Sequence, residues 1–463
     1  MSEISLATEV QEVPTDASGF AGHPKGLTPL FFTELWERFS YYGMRAILVL
    51  YMTALPAQGG LGFDTKHATS IYGTYTMSVY LTALPGGLIA DHLLGARLAV
   101  LIGGIIIACG HFTMVFQGLN TFYLGMVLIA CGTGLLKPNI SAMVGGLYRE
   151  NDPRRDSGFS IFYMGINIGA VLAPLAVGYL AQSDSFKRLL TSLGFDPKTS
   201  WHWGFGAAGV GMVLGLIVYL ILSKRLAHVG NRVKTKVETA IKAPAAKLTA
   251  GDWKRVAAIF IFFLFTMLFW AAYEQKGASL NLFAKELVRT EVFGMKFPSS
   301  YLQSCTPLFV IILAPIFSAL WVKLRERQPS SPAKFTLGLL FIGVAYVLLV
   351  PACYLTGQGK ISPLWLVALY FLEVVGEMCL SPVGLSAVTK LSPAKLVGIM
   401  MGVWFLASAF GSKLAGYLSG FFVANNPMQL MKLYGGIAAG LLLAAGLLAL
   451  LTPGIKRLMG NVK

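Results

Sequence analysis

The chain has 463 residues, of which 55% are hydrophobic and only 13% are charged, and its mean hydropathy is +0.66. Soluble domains carry nearer a quarter of charged residues, so this composition excludes an ordinary soluble protein and indicates one that crosses a membrane many times. The net charge of +16 does not indicate nucleic acid, because the basic residues lie mostly in short loops between apolar runs, as the positive-inside rule describes.

The first 26 residues are polar and lack the apolar stretch of a cleaved signal peptide, so we predict a mostly disordered cytoplasmic tail. After it, about twelve segments are apolar and long enough to cross a bilayer, which takes roughly 20 residues. Their approximate ranges are 28–55, 66–91, 97–117, 121–147, 157–182, 202–223, 254–281, 299–324, 335–356, 363–388, 396–423 and 431–452. An even number of spans, with more Lys and Arg on the inner side, places both termini in the cytoplasm.

The longest polar break divides the chain into two equal sets of spans. We predict an all-α membrane protein with a cytoplasmic tail at 1–26, a six-helix bundle at 27–223, a cytoplasmic linker at 224–252, a second six-helix bundle at 253–453 and a cytoplasmic tail at 454–463. The linker is basic and Ala-rich and is interpreted as a tether. The alternative is that part of it forms an amphipathic helix on the anionic inner leaflet.

The first span carries an unusual set of charges in the stretch ELWERFSYYGMR. Glu34, Glu37, Arg38 and Arg45 fall on or near one face of a helix, since spacings of three, four and seven share a side. Ionisable groups inside a spanning helix are costly and usually face a partner or a water-filled cavity. This helix is therefore expected to line a polar path.

The loop after the second span reads GGLIADHLLGAR and resembles the loop motif of major facilitator proteins. In that motif Gly87 and Gly95 allow a tight turn, and Asp91 and Arg97 are expected to pair across the bundle and hold the cytoplasmic side shut.

Deep polar and aromatic side chains follow in the later spans. Lys137 lies in the middle of the fourth span, where Pro138 interrupts the helix ladder and frees backbone groups that need a polar setting. Glu373 and Glu377 lie four residues apart in the tenth span and so share a face. The other candidates are Tyr163 and Asn167 in the fifth span, Trp270, Tyr273 and Glu274 in the seventh, and Trp404 and Ser408 in the eleventh.

The deep charges predict a cavity with one basic and one acidic wall. If the two bundles face each other, the bases of the first half lie opposite the acids of the second, an arrangement that suits a short zwitterion such as a dipeptide or tripeptide. Arg can hold a carboxylate in a bidentate fork and Glu can hold an ammonium, while tyrosines could bond the peptide backbone. Breaking a salt bridge by conformational change would alter proton affinity, which couples proton and substrate movement.

Three of these stretches resemble signatures of the proton-dependent oligopeptide transporter (POT) family. ELWERFSYYG resembles E-x-x-E-R-F-x-Y-Y-G, and FYMGINIG and GEMCLSPVGLS are similar to two others. The resemblance covers nearly the whole membrane domain. It implies a major facilitator fold with twelve transmembrane helices and proton-coupled uptake of dipeptides and tripeptides by alternating access, driven by the proton gradient without a cofactor or metal.

The resemblance also assigns roles to residues. It implies that Glu34, Glu37 and Arg38 couple protons, with Lys137 able to interact with them. An outer salt bridge would join Arg45 to Glu274, which also belongs to the proton-coupling set, and an inner one would join Lys137 to Glu377. Arg38 and Lys137 would receive the peptide carboxylate and Glu377 its amine. The expected pocket lining comprises Tyr41, Tyr42, Tyr80, Asn167, Trp270, Trp404 and Ser408.

The chain departs from the family pattern at three places. Many bacterial members carry two extra helices between the halves, for which the linker here is too short and polar. Thr306 stands where an Asn usually precedes Pro-Leu-Phe. Mammalian relatives place a proton-sensing His at the position of Gly73, and His67 is either its substitute or a surface histidine.

Other function classes remain as alternatives. Some plant relatives carry nitrate, but a small anion needs no amine acceptor such as Glu377. A membrane enzyme is disfavoured because the sequence has no hydrolase or metalloprotease motif and its five cysteines and six histidines are scattered. A non-transporting peptide receptor is the last alternative. We expect a monomer in the lipid bilayer of a bacterial inner membrane, with no nucleic-acid partner.

Overall fold

A computed structural model describes residues 16–149, 152–230, 248–292, 294–393 and 396–460. The helices of the first half are α1 Leu27–Thr53, α2 Thr65–Leu81, α3 Ala83–Ile89, α4 Ala96–Thr113, α5 Leu119–Gly146, α6 Arg155–Gln182, α7 Asp184–Ser192 and α8 Ser200–Ile221. The helices of the second half are α9 Ala250–Tyr273, α10 Ser279–Leu287, α11 Cys305–Leu324, α12 Ser331–Leu355, α13 Leu364–Leu391, α14 Val397–Ser419 and α15 Pro427–Met459. Two short strands, β1 Glu291–Val292 and β2 Met295–Lys296, pair antiparallel.

Twelve membrane-crossing units form from these helices in the described part of the chain. Ten are long and apolar enough to be recognised by hydropathy alone. The first, α1, fails that test because it carries four charged residues, and α2 fails because it has 17 residues and continues through α3 after a break. The predicted number of spans is therefore confirmed. The two spans that fail the hydropathy test, α1 and α2–α3, are rich in polar side chains.

Small residues allow the helices of each half to pack closely. A Cβ on Gly103 of α4 would lie 2.7 Å from the carbonyl oxygen of Gly132 on α5, and one on Gly169 of α6 would clash with that of Leu35 on α1. Without a hydrophobic driving force in lipid, such close backbone approach supplies the packing energy. The two halves meet along α2 with α14 and along α6 with α11.

The described residues next to the first and last spans differ from the sequence predictions. His23 is 5% exposed, and its ring nitrogens lie 2.9 Å from the Tyr148 hydroxyl and 3.0 Å from the Ser157 hydroxyl. Arg154 donates to the backbone oxygens of Asp16 and Gly22. The end of the tail is thus docked on the α5–α6 connection, although its composition suggested disorder.

The last helix continues past its predicted end at 452 to Met459, with Pro453 inside it. An isolated proline removes one hydrogen bond and did not end this long apolar helix. The linker was interpreted as a tether, with a partly amphipathic helix as the alternative, and most of it, residues 231–247, lies outside the described residues, as do residues 1–15 of the tail.

Candidate functional site

Arg38 joins two glutamates into one buried cluster on α1. Its Nε lies 3.1 Å from Oε1 of Glu34, one turn earlier, and also pairs with Oε2 of Glu37. All three side chains are at most 3% exposed, where charges are stable only if paired. Glu34 Oε2, Glu37 Oε1 and Arg38 Nη2 have no hydrogen-bond partner in the described residues. The cluster can therefore still take a proton or another charged group.

Lys137 approaches this cluster from α5. It interacts electrostatically with Arg38, Glu37 and Glu34, and its Nζ lies 4.6 Å from the centre of the Tyr80 ring, a cation–π contact. Its side chain is partly exposed, whereas Arg38 is buried. The basic wall predicted for the first half is therefore present, with Lys137 as its more accessible member.

Arg45 forms the ion pair across the seam that the resemblance implies. Its Nη2 pairs with Oε2 of Glu274, and its Nε lies 3.1 Å from the Tyr72 hydroxyl oxygen. Its guanidinium carbon lies 5.3 Å from the centre of the Tyr41 ring. Both charged side chains are buried, so the pair ties α1 to the end of α9. Its role as a gate stays a prediction.

The acidic wall lies on α13 and faces the break between α9 and α10. Glu377 is 7% exposed and accepts a hydrogen bond from the Tyr273 hydroxyl. Glu373, one turn earlier, is fully buried. Lys276 lies in the break, with its Nζ 3.3 Å from the centre of the Tyr273 ring. The second half thus places two acids, a tyrosine and a lysine together.

Two ionisable residues at or near this region were missed by the sequence reasoning. Lys276 stands in the polar run EQKG where the seventh span breaks, and that break was the available signal. His111 of α4 is fully buried, and its Nε2 lies 2.7 Å from the Ser40 hydroxyl of α1. The scattered distribution of histidines in the sequence did not distinguish it.

Two predicted pairs are not formed. Lys137 lies over Tyr80 while Glu377 bonds Tyr273, and no ion pair joins this lysine to this glutamate. Asp91 is exposed in the turn after α3, whereas Arg97 donates to the carbonyl oxygen of Ser223 at 3.3 Å. Both pairings were expected on the side of the linker, and that side is not held together by them in this structure.

The predicted pocket residues are divided among buried and partly exposed positions. Tyr41, Asn167, Trp404 and Ser408 are buried, while Tyr42, Tyr80 and Trp270 are partly exposed. The Asn167 amide donates to the carbonyl oxygen of Tyr163 on its own helix, at 2.9 Å. Trp270 packs edge-to-face on Tyr273, which brings it beside the acidic wall. Whether these residues contact a substrate stays a prediction.

Two of the three departures from the family pattern concern single residues, and they have different structural outcomes. Thr306 is 2% exposed, and its hydroxyl has no partner among the described residues. His67 is exposed in the first turn of α2, against the ring of Phe63, so the structure does not bring it to the buried cluster. A Cβ on Gly73 would lie 2.9 Å from Gly416 Cα, which leaves no room for a histidine there.

Hydrogen bonds and an ion pair join the two halves on the side of the bundle away from the linker. Seen from the linker, these contacts lie beyond the middle of the bundle. They link Arg45 with Glu274, Ala46 with Asn281 and Gln303, Thr74 with Lys413, Val171 with Ser304, and Gln182 with Ser299 and Ser300. The Gly73–Gly416 approach lies on the same side. These contacts hold the seam closed on the side away from the linker.

Two helical bundles that carry buried charges of opposite sign, joined across their seam by the Arg45–Glu274 pair, define a membrane transporter of the alternating-access class. The POT family model matches residues 97–243 and 224–434. The chain belongs to the POT family, and the fold predicted from that resemblance is confirmed.

Individual relatives match over almost their whole length. The chain is 40% identical to the Bacillus subtilis (strain 168) protein described as uncharacterized transporter YclF, over 100% of both chains. It is 37% identical to the peptide transporter YePEPT of Yersinia enterocolitica, over 96% of this chain and 97% of that one. A crystal structure of a mutant peptide transporter POT in complex with alafosfalin superposes with a TM-score of 0.86 at 40% identity, covering 96% and 98% of the two chains.

Proposed function

We propose that this protein imports dipeptides and tripeptides together with protons by alternating access. The observation that carries the proposal is the placement of opposite charges across one seam. Arg38 and Lys137 stand on the first half, and Glu377 stands on the second, so the carboxylate and the amine of a short peptide would each meet a counter-charge. Membership of a family whose curated relatives include peptide transporters supports it.

The buried acids supply the coupling in this proposal. Glu34 and Glu37 share Arg38, so a peptide carboxylate that binds Arg38 competes with them and favours their protonation. Each proton that moves with the peptide adds roughly 2.3 kcal/mol per 100 mV of membrane potential to the driving force. No cofactor or metal is required by this scheme.

Salt bridges act as gates in the same scheme. The Arg45–Glu274 pair would close the outer side, and a Lys137–Glu377 pair would close the inner side after the peptide has left. With the outer pair made and the inner pair open, the structure fits an inward-facing state. We further propose a monomer in the bacterial inner membrane, with both termini and the linker between the bundles in the cytoplasm, and with no catalytic activity.

Uptake of labelled dialanine into proteoliposomes tests the proposal. An imposed gradient, acidic outside, is expected to drive accumulation, and an ionophore that collapses the gradient is expected to abolish it. Labelled nitrate under the same gradient serves as the competing substrate. Accumulation of nitrate without dialanine would favour a small-anion transporter, and binding of dialanine without accumulation would favour a receptor; either result overturns the proposal.

A further inference from the structure

Glu373 is a buried acid without an assigned role. Its side chain is 0% exposed, and neither carboxylate oxygen has a hydrogen-bond partner among the described residues. Tyr346 faces it from α12 but donates its hydroxyl proton to the carbonyl oxygen of Ala272 at 2.8 Å. The neighbouring acid Glu377, in contrast, accepts from Tyr273. Glu373 is thus a buried carboxyl group beside the Tyr346 hydroxyl, whose proton is directed to another acceptor.

Lys276, the cation that interacts with Glu373, lies over an aromatic ring and not against the carboxyl group. The titratable groups that act on Glu373 are Lys276 and Glu274 at the α9–α10 break, Tyr273 on α9, Tyr346 on α12, and Glu377 and Tyr370 on its own helix. Lys276 is the one cation in that set. It lies over the ring of Tyr273 and forms no ion pair with a described acid.

An ionised carboxylate buried without a hydrogen bond or counter-ion is far less stable than the neutral acid. Glu373 therefore fits this structure as a protonated side chain. A shift of α13 relative to the α9–α10 break that brought Lys276 onto Glu373 would reverse the preference, because an adjacent cation stabilises the carboxylate. The same residue can then hold a proton in one conformation and release it in another.

We propose that Glu373 is a second proton-carrying site, located in the second half and controlled by Lys276. Its carboxylate takes a proton from the outer solution, carries it as the neutral acid through the state seen here, and returns to the carboxylate when Lys276 pairs with it and the proton leaves to the inside. The proposal rests on proton-coupled peptide transport and adds a proton to those handled by the Glu34–Glu37–Arg38 cluster.

The test is the number of protons moved per peptide. In proteoliposomes, the membrane potential that stops net dialanine flux at fixed dialanine and pH gradients gives the proton-to-peptide ratio. Glu373→Gln keeps the shape and the neutral form of the side chain, so dialanine counterflow is expected to persist while the ratio falls by one proton. The matched control is Glu286→Gln, at a surface glutamate paired with Lys285, and it is expected to leave the ratio unchanged.

An unchanged ratio in Glu373→Gln with intact counterflow would overturn the proposal. If Glu373→Gln also loses counterflow, the variant Lys276→Gln tests the proposal in its place. Without its cation the carboxylate releases its proton less readily, so driven uptake is expected to slow and to recover when the luminal pH is raised; wild-type behaviour, or slow uptake without recovery, would contradict the role of Glu373. If wild-type protein itself moves no protons with dialanine, the proposed function fails instead.

Discussion

The charge clusters on the two sides of the seam are held in different ways. On α1, Glu34 and Glu37 are compensated by Arg38 of the same helix. On α13, Glu377 relies on Tyr273 of another helix, and Glu373 has no hydrogen-bond partner in the described residues. The first cluster can therefore move as a unit, whereas the second changes its interactions whenever α13 and α9 shift. This difference predicts that a conformational change alters side-chain interactions mainly on the second half. Peptide and proton are expected to compete for the same residues mainly on the first half.

Removing a charge from the self-compensated cluster is expected to have the largest effect. Glu37→Gln removes a carboxylate that the proposed proton coupling requires, so gradient-driven dialanine uptake should fall by about 100-fold or more while counterflow is retained. Driven uptake is measured with an imposed proton gradient, and counterflow is measured without one in vesicles preloaded with dialanine. Glu291→Gln, at an exposed position, is the control. Normal driven uptake by Glu37→Gln would contradict the coupling role of the first cluster.

The acid held by another helix is expected to govern recognition of the peptide amine. Glu377→Gln should reduce the preference for dialanine over N-acetylated dialanine by about tenfold, because a hydrogen bond to a charged group contributes roughly 1.5–3 kcal/mol. Competition against labelled dialanine measures this preference. Tyr273→Phe removes the hydroxyl that bonds Glu377 but keeps the carboxylate, so it should preserve the preference. If Glu377→Gln and the wild type prefer dialanine over N-acetylated dialanine to the same extent, Glu377 does not bind the peptide amine.

The closed side of the seam can be opened without touching a charge. A methyl group on Gly73 would lie 2.9 Å from Gly416 Cα and 3.1 Å from the Ser412 carbonyl oxygen, so Gly73→Ala should push α2 and α14 apart. Overpacking typically costs about 1–3 kcal/mol, which is roughly a tenfold shift towards outward-open molecules. Spin-label distances between the outer ends of these helices measure it. Gly87→Ala, which meets nothing within 4 Å, should leave them unchanged; unchanged distances in Gly73→Ala would mean that this contact does not set the closed state.

The docked tail is expected to matter least for transport. Arg154→Ala removes the bonds to the backbone of Asp16 and Gly22, so trypsin should cut faster at Lys25 while driven uptake changes little. Arg155→Ala, at the neighbouring exposed position, is the control. Equal cutting of all three proteins would show that the tail is held by other contacts.

The Arg154–Asp152 pair beside the docked tail should also be insensitive to the acidification that drives uptake. The hydrogen bonds from Arg154 lower the pKa of Asp152 to about 2. Because the folded-state pKa lies below the unfolded value, this stabilisation is present at neutral pH and is lost only as the pH falls through about 2. The difference in trypsin cutting at Lys25 between wild type and Arg154→Ala is therefore expected to be the same at neutral and at mildly acidic pH.

Local spacing made the first cluster predictable. Residues three and four apart meet on one helix face, so Glu34, Glu37 and Arg38 could be grouped from the sequence. The fold followed from the length and number of apolar segments together with the family signatures. The two least hydrophobic spans were found in the same way, although they fail a strict hydropathy test.

Contacts that join distant helices were less accessible to sequence reasoning. Lys276 and Tyr273 reach the acidic wall only because α9 breaks where it passes α13, and the His111–Ser40 contact depends on how α4 crosses α1. The Lys137–Glu377 and Asp91–Arg97 pairs were expected from a family pattern that covers several conformations. The structure shows a single conformation, and neither pair is formed in it. Packing excludes a histidine at position 73, because Gly416 of the second half occupies the space that its side chain would need.

The most direct measurement is proton entry caused by the peptide itself. Proteoliposomes with a pH-sensitive dye inside, no imposed pH gradient and a potential negative inside should acidify when dialanine is added, and Glu37→Gln vesicles should not. If dialanine enters wild-type vesicles while the lumen stays at constant pH, the facing charges do not couple peptide to proton and the account is wrong.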